Sequence, residues 1–130
     1  DIGKVAIPSS ILDKRSSLTT DEISLIRKHA DITMEIVGTI TCLKDLVTIA
    51  SHHHERYDGT GYPDGLKGED IPILSRMIAI ADAFDALTSD RAYRKGVSTE
   101  TALQEIKKSS GTQFDPEIAN LAMKYLSTFS

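Results

Sequence analysis

Residues 43–63 read LKDLVTIASHHHERYDGTGYP. Leu43, Leu46, Val47 and Ala50 recur at the spacing of one helical face, with Ile49 beside them, so the segment predicts an apolar helix. That helix runs directly into three consecutive imidazoles and a glutamate. Between Tyr57 and Gly68, Gly59, Gly61, Gly65 and Gly68 surround Pro63, a density that breaks regular structure and admits positive-φ backbone. The stretch therefore predicts a helix ending in ligand-type side chains at the start of a long glycine-rich loop.

Working outward, Thr19 and Glu22 form a capping box ahead of Ile23, Leu25 and Ile26, predicting a helix from about Thr20 toward His29 that continues through Met34, Ile36 and Val37. Downstream, Met77, Ile80, Ala81, Phe84 and Leu87 place an apolar stripe on a helix over 74–89, which reads as core and not as a cofactor site. Ser98 caps a helix through Ala102, Leu103 and Ile106 that Gly111 terminates, and Asp115 before Pro116 opens the last helix. Five or six helices and no strand result. The fold class is all-α: a helical bundle with a long glycine-rich loop. No repeat, low-complexity tract or linker composition divides residues 1–130, which are read as one domain.

The charge balance narrows the function. Fifteen Lys and Arg stand against nineteen Asp and Glu, a net charge of -4, so the basic excess that long nucleic acids require is absent. The single Cys42 cannot close an internal disulfide, and no apolar run is long enough to span a bilayer. A cytoplasmic segment without membrane contact is expected.

The four histidines are His29, His52, His53 and His54. Neighbouring residues on a helix point about 100° apart, so adjacent imidazoles share a cavity only at a helix end or when they serve different metals. Two divalent ions bridged by a carboxylate are a standard arrangement for in-line attack on a phosphodiester. Other readings of the triplet remain open: a tag remnant, or a solvated helix C-terminus whose dipole favours imidazolium. Taken alone, His29 also reads as a helix-terminal histidine, and Lys4, Arg91 and Arg94 as surface charges. Asp82 on an apolar helix suggests a paired or cation-bound carboxylate, because burying an unpaired one is costly. Asp85 reads as lying on the wetter flank.

Four ordered blocks carry a family resemblance. Asp1-Ile2-Gly3-Lys4 with Ile7-Pro8 looks like the continuation of an HD motif, His53 through Pro63 matches HHExxDGxGYP at every fixed position, 78–91 resembles a third block and Gly111 through Pro116 a fourth. The chain thus resembles the HD-GYP domain, a family within the HD phosphohydrolases. The resemblance implies an HD-domain-like helical bundle and a metal-dependent phosphodiesterase that opens cyclic di-GMP to the linear dinucleotide, in many members onward to GMP. It implies two divalent ions, iron or manganese, held by Asp1, His29, His53, His54 and Asp82, with Asp1 bridging. It gives Lys4 the charge developing on the phosphate or the protonation of the leaving oxygen. Gly61, Tyr62, Pro63, Arg91 and Arg94 would meet the substrate.

The histidine of an HD motif would immediately precede Asp1, so the resemblance implies a ligand and helices upstream of this sequence. The expectation is that these 130 residues alone bind metal weakly and turn over little. Ser9, where some members carry a third-metal ligand, favours a binuclear site. The alternative reading is a catalytically degenerate cyclic-dinucleotide sensor, or a docking module for diguanylate cyclase domains, behind a sensory or receiver domain; the ligand positions present argue for the enzyme. The complete GYP block also disfavours an HD phosphohydrolase acting on other nucleotides.

Overall fold

In a computed structural model the described residues are 1–90 and 95–129, with Arg91 to Arg94 and Ser130 outside them. The chain forms two compact units, Asp1–His52 and His53–Ser130. Among the described residues every regular element is helical, and the one β-bridge, between Ser110 and Phe114, is isolated. The all-α expectation holds.

The first unit opens with a 3-10 turn, Ile2–Ala6, followed by α1 (Ser9–Leu12), α2 (Thr20–Arg27), α3 (His29–Gly38) and α4 (Lys44–Ser51). The capping box appears as read: Thr19 Oγ1 accepts from the Glu22 N–H while Glu22 Oε2 accepts from the Thr19 N–H. The helical periodicity through Val37 is interrupted at Lys28, which separates α2 from α3. The interior is small: Ile7 and Ala30 are its buried apolar side chains, beside buried Gly3, His29, Thr33, Ser51 and His52. The opening 3-10 turn packs on α3.

The second unit begins at His53, within the 3-10 turn His52–His54, and continues through a loop over 55–67 to a short 3-10 turn, Gly68–Asp70. Then come α5 (Ile73–Thr88), α6 (Thr99–Lys108) and α7 (Pro116–Leu126). Both predicted caps form: Ser98 Oγ accepts from the Thr101 N–H, and Asp115 Oδ1 accepts from Glu117 and Ile118, with Pro116 at the first helical position. Helix α6 ends at Lys108, and Gly111 turns the chain three residues later at φ +80°.

Ile80, Ile106, Phe114 and Ala119 form the core, flanked by Ala83, Phe84, Ile118 and Ala122. Each such large side chain contributes about 1.5–3 kcal/mol on burial. The expected stripe on α5 divides in two. Ile80 and Phe84 enter this core, whereas Met77 is 49% exposed and joins Ile73, Leu121 and Tyr125 along an open apolar groove of about 310 Å³ between α5 and α7. No helix among the described residues is long and apolar enough to cross a membrane.

Candidate functional site

Asp1 and His29 come together in the first unit through backbone proximity. The opening turn lies so close to α3 that a β-carbon at Gly3 would overlap the His29 carbonyl oxygen and sit 2.7 Å from the Thr33 nitrogen, an approach open only to glycine. Thr33 fastens it: its Oγ1 accepts from the Gly3 N–H at 3.0 Å and donates to the His29 carbonyl at 2.7 Å. Asp1 Oδ1 then lies 3.2 Å from His29 Nε2.

The break at Lys28 controls the imidazole. Carbonyls of a terminal helical turn fall outside the regular ladder, and the His29 ring takes one of them, Ile26, through Nδ1 at 2.6 Å. Since the carbonyl only accepts, Nδ1 carries the proton and Nε2 keeps a lone pair when the ring is neutral. Burial, at 1% exposure, holds the His29 pKa below its ordinary value despite the opposing Ile26 hydrogen bond. A neutral ring aims its lone pair at a carboxylate oxygen, two acceptors face to face. That arrangement suits a divalent cation, and a backbone carbonyl orienting the distal nitrogen is the usual support for a metal-bound histidine.

Lys4 Nζ pairs with Asp1 Oδ2 at 2.9 Å. Both side chains are nearly half exposed, so the pair is worth about 0–1 kcal/mol, and the ammonium remains available to an anion.

His52 closes the first unit. Its Nδ1 meets the Thr48 carbonyl at 2.6 Å and Ser51 Oγ at 3.0 Å, giving it a local structural anchor. In the second unit His53 and His54 follow as the remainder of a 3-10 turn, His52–His54, so the helix termination predicted from sequence delivers both rings in one short span. Their centroids are 3.9 Å apart and tilted by 41°. Tyr62 stacks on His54 at 4.9 Å and 23°, and the Tyr62 N–H donates to the His54 carbonyl at 3.4 Å.

The glycine loop folds back on itself to reach that position. Gly59 and Gly65 adopt φ +84° and +69°, and a β-carbon at Gly61 would overlap the Arg56 nitrogen and lie 2.5 Å from the Glu55 α-carbon. Buried Glu55 accepts from the Asp64 and Gly65 N–H groups through Oε1 at 2.7 and 3.0 Å. Asp58 binds Arg56, the Thr60 hydroxyl and the Thr60 N–H, and the Arg56 hydrogen bond above all lowers its pKa to about 2. Backbone bonds from Tyr57 to Gln113 and from Asp58 to Thr112 tie the loop to the turn before α7.

Asp1, His29, His53 and His54 all offer ligand atoms of the kind a metal ion takes. Asp82 differs. It lies exposed on α5 and does not gather with His53 and His54 among the described residues. Water stabilises its carboxylate without a partner, so the argument from costly burial does not apply and its ligand role rests on resemblance alone. Asp85 is exposed as read, accepting from Ser89 Oγ at 3.1 Å. Arg91 and Arg94 lie outside the described residues. Thr33 is a positioning group that sequence reasoning did not single out, and Glu55 reads from sequence only as one of the ligand-type side chains after the apolar helix and as part of the HHExxDGxGYP block; for Thr33 the available signal is Gly3, a glycine inside a turn between two charged residues.

A family profile described as HD domain matches residues 1–118. The chain is 41% identical over 126 residues to the cyclic di-GMP phosphodiesterase response regulator RpfG of Xanthomonas campestris pv. campestris, covering 95% of this chain and 33% of that protein. It is 39% identical over 131 residues to 3'3'-cGAMP-specific phosphodiesterase 2 of Vibrio cholerae, covering 99% and 25%. The chain thus spans about a third or less of the length of these curated relatives. Among solved structures, the cyclic GMP-AMP specific phosphodiesterase V-cGAP3 of V. cholerae superposes with a TM-score of 0.55 at 24% identity, over 96% of this chain and 33% of that one, a likeness in fold.

Proposed function

The chain belongs to the HD domain family, and on that premise we propose that it serves a metal-dependent phosphodiesterase hydrolysing cyclic dinucleotides, cyclic di-GMP first among them, to the linear dinucleotide and onward to GMP. The observation that carries the reading is the His29 arrangement, a buried imidazole whose Nδ1 is held by the Ile26 carbonyl and whose Nε2 is presented to Asp1. In the proposal Asp1, His29, His53, His54 and Asp82 hold two divalent ions. The mixed imidazole and carboxylate donors suit iron or manganese. Diguanylate cyclase domains as partners, and a sensory or receiver domain in the parent chain, belong to the same proposal. The names of the relatives, which cover both cyclic di-GMP and 3'3'-cGAMP, support a cyclic dinucleotide as the substrate class.

When bound, the ions supply a nucleophile at neutral pH and positive charge beside the phosphate. The chain's own residues do the rest. Asp1 divides its carboxylate, Oδ2 toward Lys4 and Oδ1 toward His29, so the anionic ligand and the ammonium are prealigned. In the proposal Lys4 meets the charge that grows on the non-bridging phosphate oxygens, which is where electrostatic catalysis gains most, or protonates the departing oxygen. Tyr62, stacked on His54, offers a flat face to a guanine base. Gly61 and Pro63 are assigned to the ligand beside Tyr62, and Arg91 and Arg94 to its phosphates or base edges.

The test is anaerobic purification of the full-length protein, elemental analysis, and chromatographic identification of products from cyclic di-GMP and 3'3'-cGAMP. We expect iron or manganese to copurify and a linear dinucleotide to appear. Metal-loaded protein that leaves both cyclic substrates intact would sink the proposal.

A further inference from the structure

We propose that Glu55 is a positioning residue for Tyr62, clamping the 61–65 turn so that the tyrosine ring is held against His54. The inference rests on the phosphodiesterase reading only for its functional consequence. Its geometry lies wholly within the second unit.

Glu55 is 4% exposed, and Oε2 is buried with no hydrogen-bond partner. All of its hydrogen bonding passes through Oε1, which collects the consecutive N–H groups of Asp64 and Gly65. Burying a carboxylate with one oxygen unsatisfied is costly, and a neutral asparagine or serine would close an ordinary turn at lower cost. What the anion adds is strength, because hydrogen bonds to an ionised acceptor are roughly twice as strong as neutral ones.

The pinned turn has little freedom between its fixed points. At its start Gly61 passes over the Glu55 and Arg56 backbone with no room for a β-carbon, and at its end Gly65 needs positive φ. Tyr62 sits between them, donating its N–H to His54 and stacking on the His54 ring. Release of the Asp64 and Gly65 amides therefore frees the residue that carries the ring. Glu55 acts through Tyr62, not by touching substrate.

The experiment uses the full-length, metal-loaded protein and the variants Glu55→Ala, Glu55→Gln, Tyr62→Ala and Glu55→Ala with Tyr62→Ala. Amide hydrogen exchange should accelerate at Tyr62, Asp64 and Gly65 in E55A while α6 keeps its protection, and E55Q, which retains an acceptor without the charge, should restore only part of it. With cyclic di-GMP, E55A should raise KM about tenfold and leave kcat and metal content near wild type. The double variant should be no worse than Y62A alone, since both single changes remove one interaction. Unchanged exchange at Tyr62 in E55A, additive losses in the double variant, or loss of metal in E55Q would each overturn the assignment. If wild type hydrolyses nothing, the functional reading fails, while the exchange at Tyr62 still decides the clamp.

Discussion

Asp1 with His29, and His53 with His54, present similar donors by different physical means. The upstream pair is oriented by close packing. A glycine admits one backbone against another, a buried threonine bridges them, and a helix break supplies the carbonyl that fixes the ring. The downstream pair leans on a loop whose shape comes from positive-φ glycines and a clamped carboxylate. Packing tolerates no added volume but is insensitive to charge. The loop is held by ion pairs and charge-assisted bonds, so it should respond to charge and pH.

The strongest test of whether the two pairs serve one metal centre is to delete a ring from each. His29→Ala and His53→Ala should each lower turnover by more than about 100-fold, beyond the range of outer-shell changes, with metal content falling in parallel by elemental analysis. A variant that kept both metal and turnover would separate the two pairs functionally.

Next in size is the packing limit upstream. Gly3→Ala forces a methyl onto the His29 carbonyl and the Thr33 nitrogen, both backbone and unable to swing aside. We expect a loss of about 3 kcal/mol, read as a lowered denaturant midpoint.

The charge dependence downstream centres on Asp115, which caps α7 and pairs with Arg76 just after the turn that anchors the loop. Burial pushes its pKa up, but the Arg76 hydrogen bond and the Glu117 and Ile118 N–H groups prevail and hold it below its ordinary value. The unfolded chain then binds this proton more readily than the folded one. The stabilisation is present above the usual carboxylate pKa of about 3.9 and is lost as pH falls through the lower folded value. Asp115→Asn keeps a capping oxygen and loses the charge. It should cost about 2 kcal/mol at neutral pH and flatten the acid limb of a stability profile. An unchanged acid limb would remove Asp115 from the comparison.

The smallest effect sharpens the packing limit by contrasting two glycines of the upstream region. Gly38 ends α3 with nothing within 4 Å of an added β-carbon and without positive φ. Gly38→Ala should therefore stabilise by about 0.5 kcal/mol, a small rise in melting temperature opposite in sign to the Gly3 result.

Much of the architecture was legible because its signals are local. Thr19 with Glu22, Ser98, and Asp115 with Pro116 each specify a helix start through bonds spanning two or three residues, and the glycine density after His54 specified the loop. The stripe on α5 was less transparent. Periodicity marks an apolar face, but Met77 is half exposed because packing covers only part of it. The burial expected of Asp82 failed for the same reason: apolar neighbours in sequence did not mean burial in space.

By itself the sequence determined the helical class, the cap positions and the inventory of imidazole and carboxylate donors, because propensity, capping and ligand chemistry are properties of a residue and its near neighbours. Only the tertiary structure decided that Gly3 admits a carbonyl contact, that Thr33 reaches a residue thirty positions away, that Ile26 orients the His29 ring and that Glu55 spends one oxygen on two distant amides. Those are choices of direction and distance that residue type does not specify, and a hydrogen bond exists only once folding has set both.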